Sequence, residues 1–388
     1  MPGVNAKIID KVISLNTVGI KVKGLVLYNN KAIDLNFLPD EYFEKYYFSP
    51  KRNNYKILRS RFLSPLNSFI DNLIAVKELY WNILAKKKIS LLITRYGNSD
   101  YSSLWLMKQL KGNVIYESNT VELEQMKIKY NGLFSSPLWI SYDYLNEKYL
   151  GPLVLRKVKG VVCVTDEIKL YQQRRIGERR LPKVITISNG INVNGYKLAE
   201  VKRSDSTATN MIMLLGVDAP WNGLNKVARA LQNTSLNVNL YVVGKVKEGY
   251  KSDNIIFCGQ LDSEQTDKLI ADKKIVAGIG TLALERKGIN EAAPLKVREY
   301  LSRGLPVVYS YYDTDIDKDP EFRDTYCVKL NYGVDTIDLE YILQRLKTIT
   351  SITNYPQSIR DFALTNVDVR SKALQYKSLI EELTINNN

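Results

Sequence analysis

The sequence predicts an α/β protein made of two doubly wound domains. Three observations carry that expectation. Apolar, β-branched runs recur along the chain without polar alternation, as parallel strands covered on both faces require. Amphipathic stretches separate these runs, and repeated strand–helix alternation builds a parallel sheet flanked by helices. The 388 residues exceed what one hydrophobic core ordinarily serves and suit two domains.

Taken in order, the first helical pattern is Lys7–Val18. Gly3 precedes it at once, with no strand before it. A doubly wound domain ordinarily opens strand, glycine turn, helix, so its first strand is expected to be missing. Strands follow at Ile20–Tyr28, Ile89–Arg95, Val114–Glu117, Gly160–Thr165 and Val184–Ser188, with a helix at Leu66–Lys86. The stretch Ala199–Asn210 is polar, rich in Ser and Thr and without apolar period, and reads as an interdomain linker. Beyond it come strands at Met211–Val217, Leu240–Val246, Ile255–Cys258, Ile275–Gly278, Pro306–Tyr309 and Tyr326–Leu330. Helical patterns lie at Gly223–Leu231, Ser263–Lys273 and Leu339–Ile349. The expected domains are therefore 1–200 and 201–370, with a tail, 371–388, whose helix Ser371–Leu383 packs back on the first domain. Two such domains place a ligand crevice between them, at the carboxyl ends of the strands.

Composition removes whole classes of chemistry. The chain has no histidine, which excludes Ser-His-Asp and Cys-His catalysis and imidazole-ligated zinc. Its three cysteines, Cys163, Cys258 and Cys327, are scattered without a C-x-x-C and read as buried free thiols of a reducing compartment. No metal site is expected. The start, MPGVNAKIID, has no apolar leader segment. The longest uncharged run, Ala230–Gly244, is too polar to span a bilayer. Charge is lopsided: residues 1–200 hold 31 basic and 17 acidic side chains, against 24 and 24 beyond, so the whole net charge of +14 sits in the first half. Such a half-chain suits an anionic partner. Without an RNP, helix-turn-helix or finger pattern, nucleic acid is not the expected one.

The stretch Ile279–Tyr309 carries the chemistry. Pro294 suits the first turn of a helix, Val297, Tyr300 and Leu301 form its apolar face, and Gly304 suits its end before the strand LPVVY. Glu291 lies in the loop before the helix. Glu299 stands about 200° around from Val297, off the core face. The free amides of Ala292, Ala293 and Leu295, flanking Pro294, can hold an anion or a sugar hydroxyl. Lys296 sits in the first turn, where the helix dipole disfavours a cation. Arg286 and Lys287 add positive charge just upstream. Such a cluster at a helix start is electrostatically poor unless an anion is shared; a diphosphate resolves the conflict. The alternative is that Glu291 is a capping residue and Glu299 a solvated one paired with Arg298 or Arg303.

These residues resemble a known motif. Glu291 and Glu299, with Pro294-Leu295-Lys296 between them and Gly304-Leu305-Pro306-Val307-Val308 after, are similar to the E-x7-E segment of retaining GT-B glycosyltransferases of family 4. The likeness is greatest to the bacterial surface-polysaccharide type, whose motif reads RKG-x-x-E-A-x-P-L-K-x-x-E-Y. Ile187–Asn192 resembles the turn that ends the N-terminal domain of that family, and Leu215-Gly216 with Trp221–Lys226 its first donor-domain strand and loop. The resemblance covers about 150–310 well and the first third in outline.

The resemblance implies a GT-B fold of two Rossmann-like domains with an interdomain cleft. The implied activity is a metal-independent hexosyltransferase moving a sugar, with retention, from a nucleotide diphosphate sugar to a hydroxyl, with no further cofactor. Glu299 would bind the ribose. Glu291 would stand beside the donor sugar, aided by the amides of Ala292–Leu295. Arg286, Lys287 and Lys296 would face the diphosphate, and Gly3, Gly216 and Lys226 would complete the nucleotide-sugar site. The expected acceptor is a lipid-linked glycan of surface-polysaccharide synthesis, reached by a cytoplasmic protein peripheral at the inner face of an anionic plasma membrane. Lys51-Arg52, Lys86–Lys88, Arg174-Arg175 and Arg179-Arg180 would supply cations there. Uridine and guanosine donors both fit, and nothing in the sequence fixes an oligomeric state. The chain departs from the family pattern in three ways: it lacks the acceptor-side histidine, it has Val217 and Asn222 where a phosphate-binding Arg and Lys are usual, and it lacks the first strand. These departures also suit a non-catalytic GT-B-like scaffold, and a sugar epimerase is a weaker rival. The segment Asp313-x-Asp315-x-Asp317 reads as a solvated acidic turn.

Overall fold

Packing divides the chain into two units, one of residues 1–20 with 188–378 and one of 21–187 with 379–388. The structure, a computed structural model, describes residues 2–28, 35, 37–49, 64–97, 99–129, 138–177, 182–200, 208–246, 250 and 252–385. Lys51-Arg52 and Arg179-Arg180 lie outside these. The first helix, α1 (Pro2–Thr17), belongs to the unit of 188–378. Lys11 Nζ donates to the Tyr376 hydroxyl at 3.2 Å and Lys377 Nζ to the Val18 carbonyl at 2.9 Å. Gly3 stands inside this helix rather than in a turn before it, and no strand precedes it among the described residues.

In the unit of 21–187, β1 (Gly24–Tyr28) and β2 (Phe43–Tyr47) form a parallel pair. Helix α2 (Ser64–Asn82) follows. Then β3 (Leu92–Arg95), α3 (Tyr101–Gln109), β4 (Val114–Ser118), α4 (Glu122–Lys129), α5 (Leu138–Leu155), β5 (Gly160–Cys163), α6 (Asp166–Ile176) and β6 (Lys183–Thr186) wind a four-stranded parallel sheet in sequence order. Val114, Ile115, Val161, Val162 and Cys163 are buried, as uninterrupted apolar strands require. Helix α6 shows its local causes: Thr165 caps it, accepting the Ile168 amide at 3.1 Å, acids fill its first turn and bases its last.

The other unit holds β7 (Thr209–Leu215), α7 (Leu224–Gln232), β8 (Val238–Gly244), β9 (Ile255–Gly259), α8 (Ser263–Asp272), β10 (Ala277–Ile279), β11 (Glu291–Ala292), α9 (Leu295–Ser302), β12 (Val307–Tyr309), β13 (Tyr312–Asp313), α10 (Pro320–Tyr326), β14 (Cys327–Lys329), α11 (Leu339–Ser351), α12 (Tyr355–Asn366) and α13 (Val369–Ile385). Six of these strands form a parallel sheet in the order β14-β12-β10-β7-β8-β9, and β11 pairs with β13 apart from it. Numbered along the unit, that order is 3-2-1-4-5-6 read from β9, the doubly wound arrangement, with its switch point between β7 and β10.

The expected boundaries shift. Residues 188–200 do not link; they pack. Ile191 exchanges backbone hydrogen bonds with Val367 and Val369 at 2.9 Å each, and Arg360 donates to the carbonyls of Tyr196 at 2.8 Å and Val193 at 3.2 Å. So the unit changes at 187/188 rather than 200/201, and residues 1–20 leave the first domain. The tail joins the 21–187 unit only from Leu379, where Lys183 pairs with Glu382 at 2.8 Å.

Candidate active site

The site is built where β7 and β10 part. Their ladder holds only Ala277↔Met211 and Gly278↔Ile212. Past it, the Tyr300 hydroxyl fills the gap, accepting from the Leu214 amide at 2.7 Å and donating to the Ile279 carbonyl at 3.1 Å. Tyr300 is wholly buried. Its ring lies so close to Gly278 that a Cβ there would meet it at 2.3 Å. Glycine on the strand thus lets α9 sit tight against the switch point, and the phenol satisfies two backbone groups that the sheet leaves open. Val297 and Leu301 complete the buried face of α9.

Two loops frame the crevice. After β7, Gly216 is exposed, with open space where a Cβ would stand. A turn over Pro220–Asn222 ends at Gly223, whose φ of +79° and closeness to Leu282 both require glycine. The loop after β10 is laced to it: the Leu282 and Ala283 amides donate to the Asn222 and Trp221 carbonyls at 3.1 Å each. Arg286 Nη1 donates to the Pro220 carbonyl at 3.0 Å and to Asn225 Oδ1 at 2.8 Å, although the residue is exposed. Lys226 is corrected by this geometry. It is 2% exposed and gives its three protons to Leu282 O, Glu285 Oε1 and Val334 O, at 3.2, 2.7 and 2.7 Å. An ammonium so occupied holds loops together and has none left for a phosphate.

The chain then turns into α9. Glu291 is buried on β11. Its ribbon is fixed by Tyr312 N to Asn290 O at 2.9 Å, by Thr314 N to Ala292 O at 3.3 Å, and by Asn189 Nδ2 to Ala293 O at 2.7 Å. Lys7 of α1 donates to Asn189 Oδ1. Pro294 caps α9 without a side-chain hydrogen bond, so its first-turn amides are offered outward.

Lys296 reaches from that turn to Asn222 Oδ1 at 3.0 Å, on the loop after β7. The residue is only partly covered, yet its ammonium is withdrawn far enough from water that burial pushes its pKa down to about 7. Lys287 lies 5.4 Å over the Trp221 ring, and burial lowers its pKa too. Among the described residues neither lysine has a carboxylate partner. Two desolvated lysines without a carboxylate partner beside a helix start are an arrangement that an anion would satisfy.

Glu299 is half-buried. Its carboxyl pKa is raised by burial, against the pull of Arg303, whose Nη1 donates to Oε2 at 3.2 Å. Of the two pairings expected, Arg303 is the one formed; it is held in turn by Asp267 at 2.7 Å and lies over the Tyr196 ring at 4.4 Å. Arg298 faces elsewhere. It makes a bidentate pair with Asp313, at 2.5 and 2.9 Å, and bonds Asp315 as well. Asp315 also accepts from Lys372 and Ser188, and Asp317 pairs with Lys329 at 2.5 Å. The Asp313–Asp317 turn is therefore no solvated loop: Asp313 is wholly buried and the turn pins α9 to α13.

The structure thus gathers Lys287, Lys296, the 292–295 backbone and the Gly216 loop at one crevice, with Glu291 and Glu299 on its flanking elements. It engages Arg286 in the loop pair, withdraws Lys226 and puts Gly3 in a helix. Sequence reasoning missed Asn222 and Trp221 as partners of the lysines, and Tyr300 as the wedge at the switch point.

No protein-family model and no curated protein matches the sequence. Solved structures do. Sucrose-phosphate synthase from Thermosynechococcus elongatus aligns with a TM-score of 0.64 at 13% identity, over 97% of this chain and 92% of that one. A glycosyltransferase from Rickettsia africae gives 0.64 at 13%, over 98% and 96%. Anabaena HepE, solved in complex with UDP and glucose, gives 0.59 at 14%, over 97% and 95%.

The chain has the GT-B fold. Its neighbours are GT-B glycosyltransferases with two Rossmann-like domains, and both parallel α/β units described above answer to that plan. Within the GT-B fold, the unit of 188–378 carries the doubly wound sheet whose switch point holds the crevice.

Proposed function

We propose that this protein is a retaining glycosyltransferase of family 4 type that takes a nucleotide diphosphate sugar as donor. The observation that carries this reading is the pair Lys287 and Lys296, desolvated and without counter-charge at the start of α9. A diphosphate supplies the missing charge. As the sugar bond breaks, negative charge grows on that diphosphate, and cations and amides already aimed at it stabilise the transition state. The free Oε1 of Glu299 accepts from a ribose hydroxyl, while Arg303 keeps the carboxylate ionised and oriented. Glu291, fixed by the β11–β13 ribbon, holds hydroxyls of the donor sugar. The leaving phosphate takes the acceptor's proton, which suits a chain without histidine. The structure of HepE with UDP and glucose supports a uridine donor.

The acidic triad of the 313–317 turn is paired within the fold, with Arg298, Lys372 and Lys329. We extend the proposal to a lipid-linked glycan acceptor of bacterial surface-polysaccharide synthesis, met by a cytoplasmic protein at an anionic membrane face. Lys86, Lys88 and Arg174 are exposed for that role. Arg175 is withdrawn from it by its pairs with Glu122 and Glu147, and Lys87 by its pair with Glu44. No helix among the described residues is long and apolar enough to cross a membrane.

Titration calorimetry with UDP-glucose and GDP-mannose tests the donor site. Glu299→Ala is expected to weaken nucleotide binding at least tenfold. Glu291→Ala is expected to keep UDP affinity and lose preference among UDP-sugars. Parental behaviour in both variants sinks the assignment. A nucleotide-binding chain that never turns over any donor would favour the scaffold reading, which the withdrawal of Lys226 supports.

A further inference from the structure

The sheet has a free edge at β14, and beside it lies a groove of about 520 Å3 that the donor site does not use. That volume is in the range of small-ligand sites. Its lining combines three cations with two exposed aromatic rings. Two of the cations are already neutralised. Arg323 donates two hydrogen bonds to the Asp324 carboxylate, at 2.7 and 3.0 Å, and Lys329 pairs with the buried Asp317. The third is not. Arg345 gives Nη2 to the carbonyls of Asp324 and Cys327, and no carboxylate among the described residues meets it. Its Nε and Nη1 make no hydrogen bond among the described residues, and the residue lines the groove.

Tyr341 and Tyr332 are 41% and 44% exposed. The Tyr332 hydroxyl donates to the Ile289 carbonyl at 3.1 Å, two residues before Glu291, so this wall is tied to the loop that carries the candidate sugar contact. With Nη2 held by the two carbonyls, Arg345 offers single charged hydrogen bonds from Nε or Nη1 to a carboxylate oxygen, and the nearby Asp324 carboxylate disfavours a more highly charged guest. Exposed tyrosines offer an apolar face with a polar tip, the match for a sugar ring with its C–H face down and its hydroxyls at the rim.

We propose that this groove is a second, non-catalytic saccharide site that takes an acidic sugar, its carboxylate on Arg345 and its ring on Tyr341. Binding there does not depend on the donor-site reading. In a transferase it would hold an acidic glycan beside the loop of Glu291.

The test is calorimetry on the full chain with three probes: a glucuronate-containing hyaluronan tetrasaccharide, its methyl ester, and inorganic phosphate. The acid is expected to bind, the ester at least tenfold more weakly, and phosphate not to compete. Tyr341→Ala, at an exposed position that leaves the core intact, should weaken the acid about tenfold, and Arg345→Gln should abolish its binding. Lys296→Met, in the donor crevice, should leave it unchanged. No binding at millimolar acid, equal binding of acid and ester, displacement by phosphate, indifference to Tyr341→Ala, or loss in Lys296→Met would each overturn the proposal.

Discussion

Donor binding should take up a proton, and Lys296 fixes how much. Burial holds its pKa near 7 instead of the ordinary 10.5. At pH 7 about half of the free protein carries the charge there, and at pH 8 about a tenth. A diphosphate beside the ammonium restores the charged form. UDP-glucose is the right ligand, because both of its phosphates are esterified and neither titrates near neutrality. Binding should then take up ~0.5 proton at pH 7 and ~0.9 at pH 8, and affinity should fall nearly tenfold per pH unit above 8. Calorimetry in phosphate and in Tris, whose ionisation enthalpies differ, reads the uptake directly. Lys296→Met should bind more weakly at pH 6 and lose this uptake; what Lys287 contributes, also lowered by burial, would remain. Uptake that is absent in the parent, or unchanged in Lys296→Met, would refute the placing of the diphosphate on this lysine.

Two further outcomes follow from buried charge. Arg298→Met strands Asp313 and Asp315 without their shared partner, and should cost about 3–5 kcal/mol in urea unfolding; a loss under 1 kcal/mol would show that the network holds nothing. Glu122, in the unit of 21–187, has its pKa raised to about 7 by burial, from 4.5. A raised carboxyl favours the fold at low pH and withdraws that stability as pH rises from 4.5 through 7. Glu122→Gln should therefore gain on the parent in melting temperature between pH 5 and pH 8, and a flat difference would contradict the burial of that charge.

Much of the fold was legible because strands buried on both faces leave an uninterrupted apolar mark. Met211–Val217, Leu240–Val246 and Pro306–Tyr309 all fall on strands of the sheet, their ends displaced by one or two residues. The short pieces were not legible. β2 (FEKYY) alternates with charge, and β11 and β13 are two residues each, so neither composition nor period marks them. The boundary failed for a different reason. Val193 and Ile191 are isolated apolar residues in polar surroundings, and only contact with α12 and α13 makes them core. At the site, the charge conflict at the start of α9 could be read from Lys296 and Pro294. The fate of Lys226 could not, because its three acceptors come from Leu282, Glu285 and Val334, far along the chain. The acidic turn misled because alternating aspartates look the same whether they face water or an arginine.

Lys226 also bears on how quickly the protein can recognise anything. With a resident cation of α7 clasping the loops after β10 and β14, their shape is set before a guest arrives. Association then spends little on freezing mobile chain, and recognition at this crevice should behave as a rigid lock rather than a closing hand.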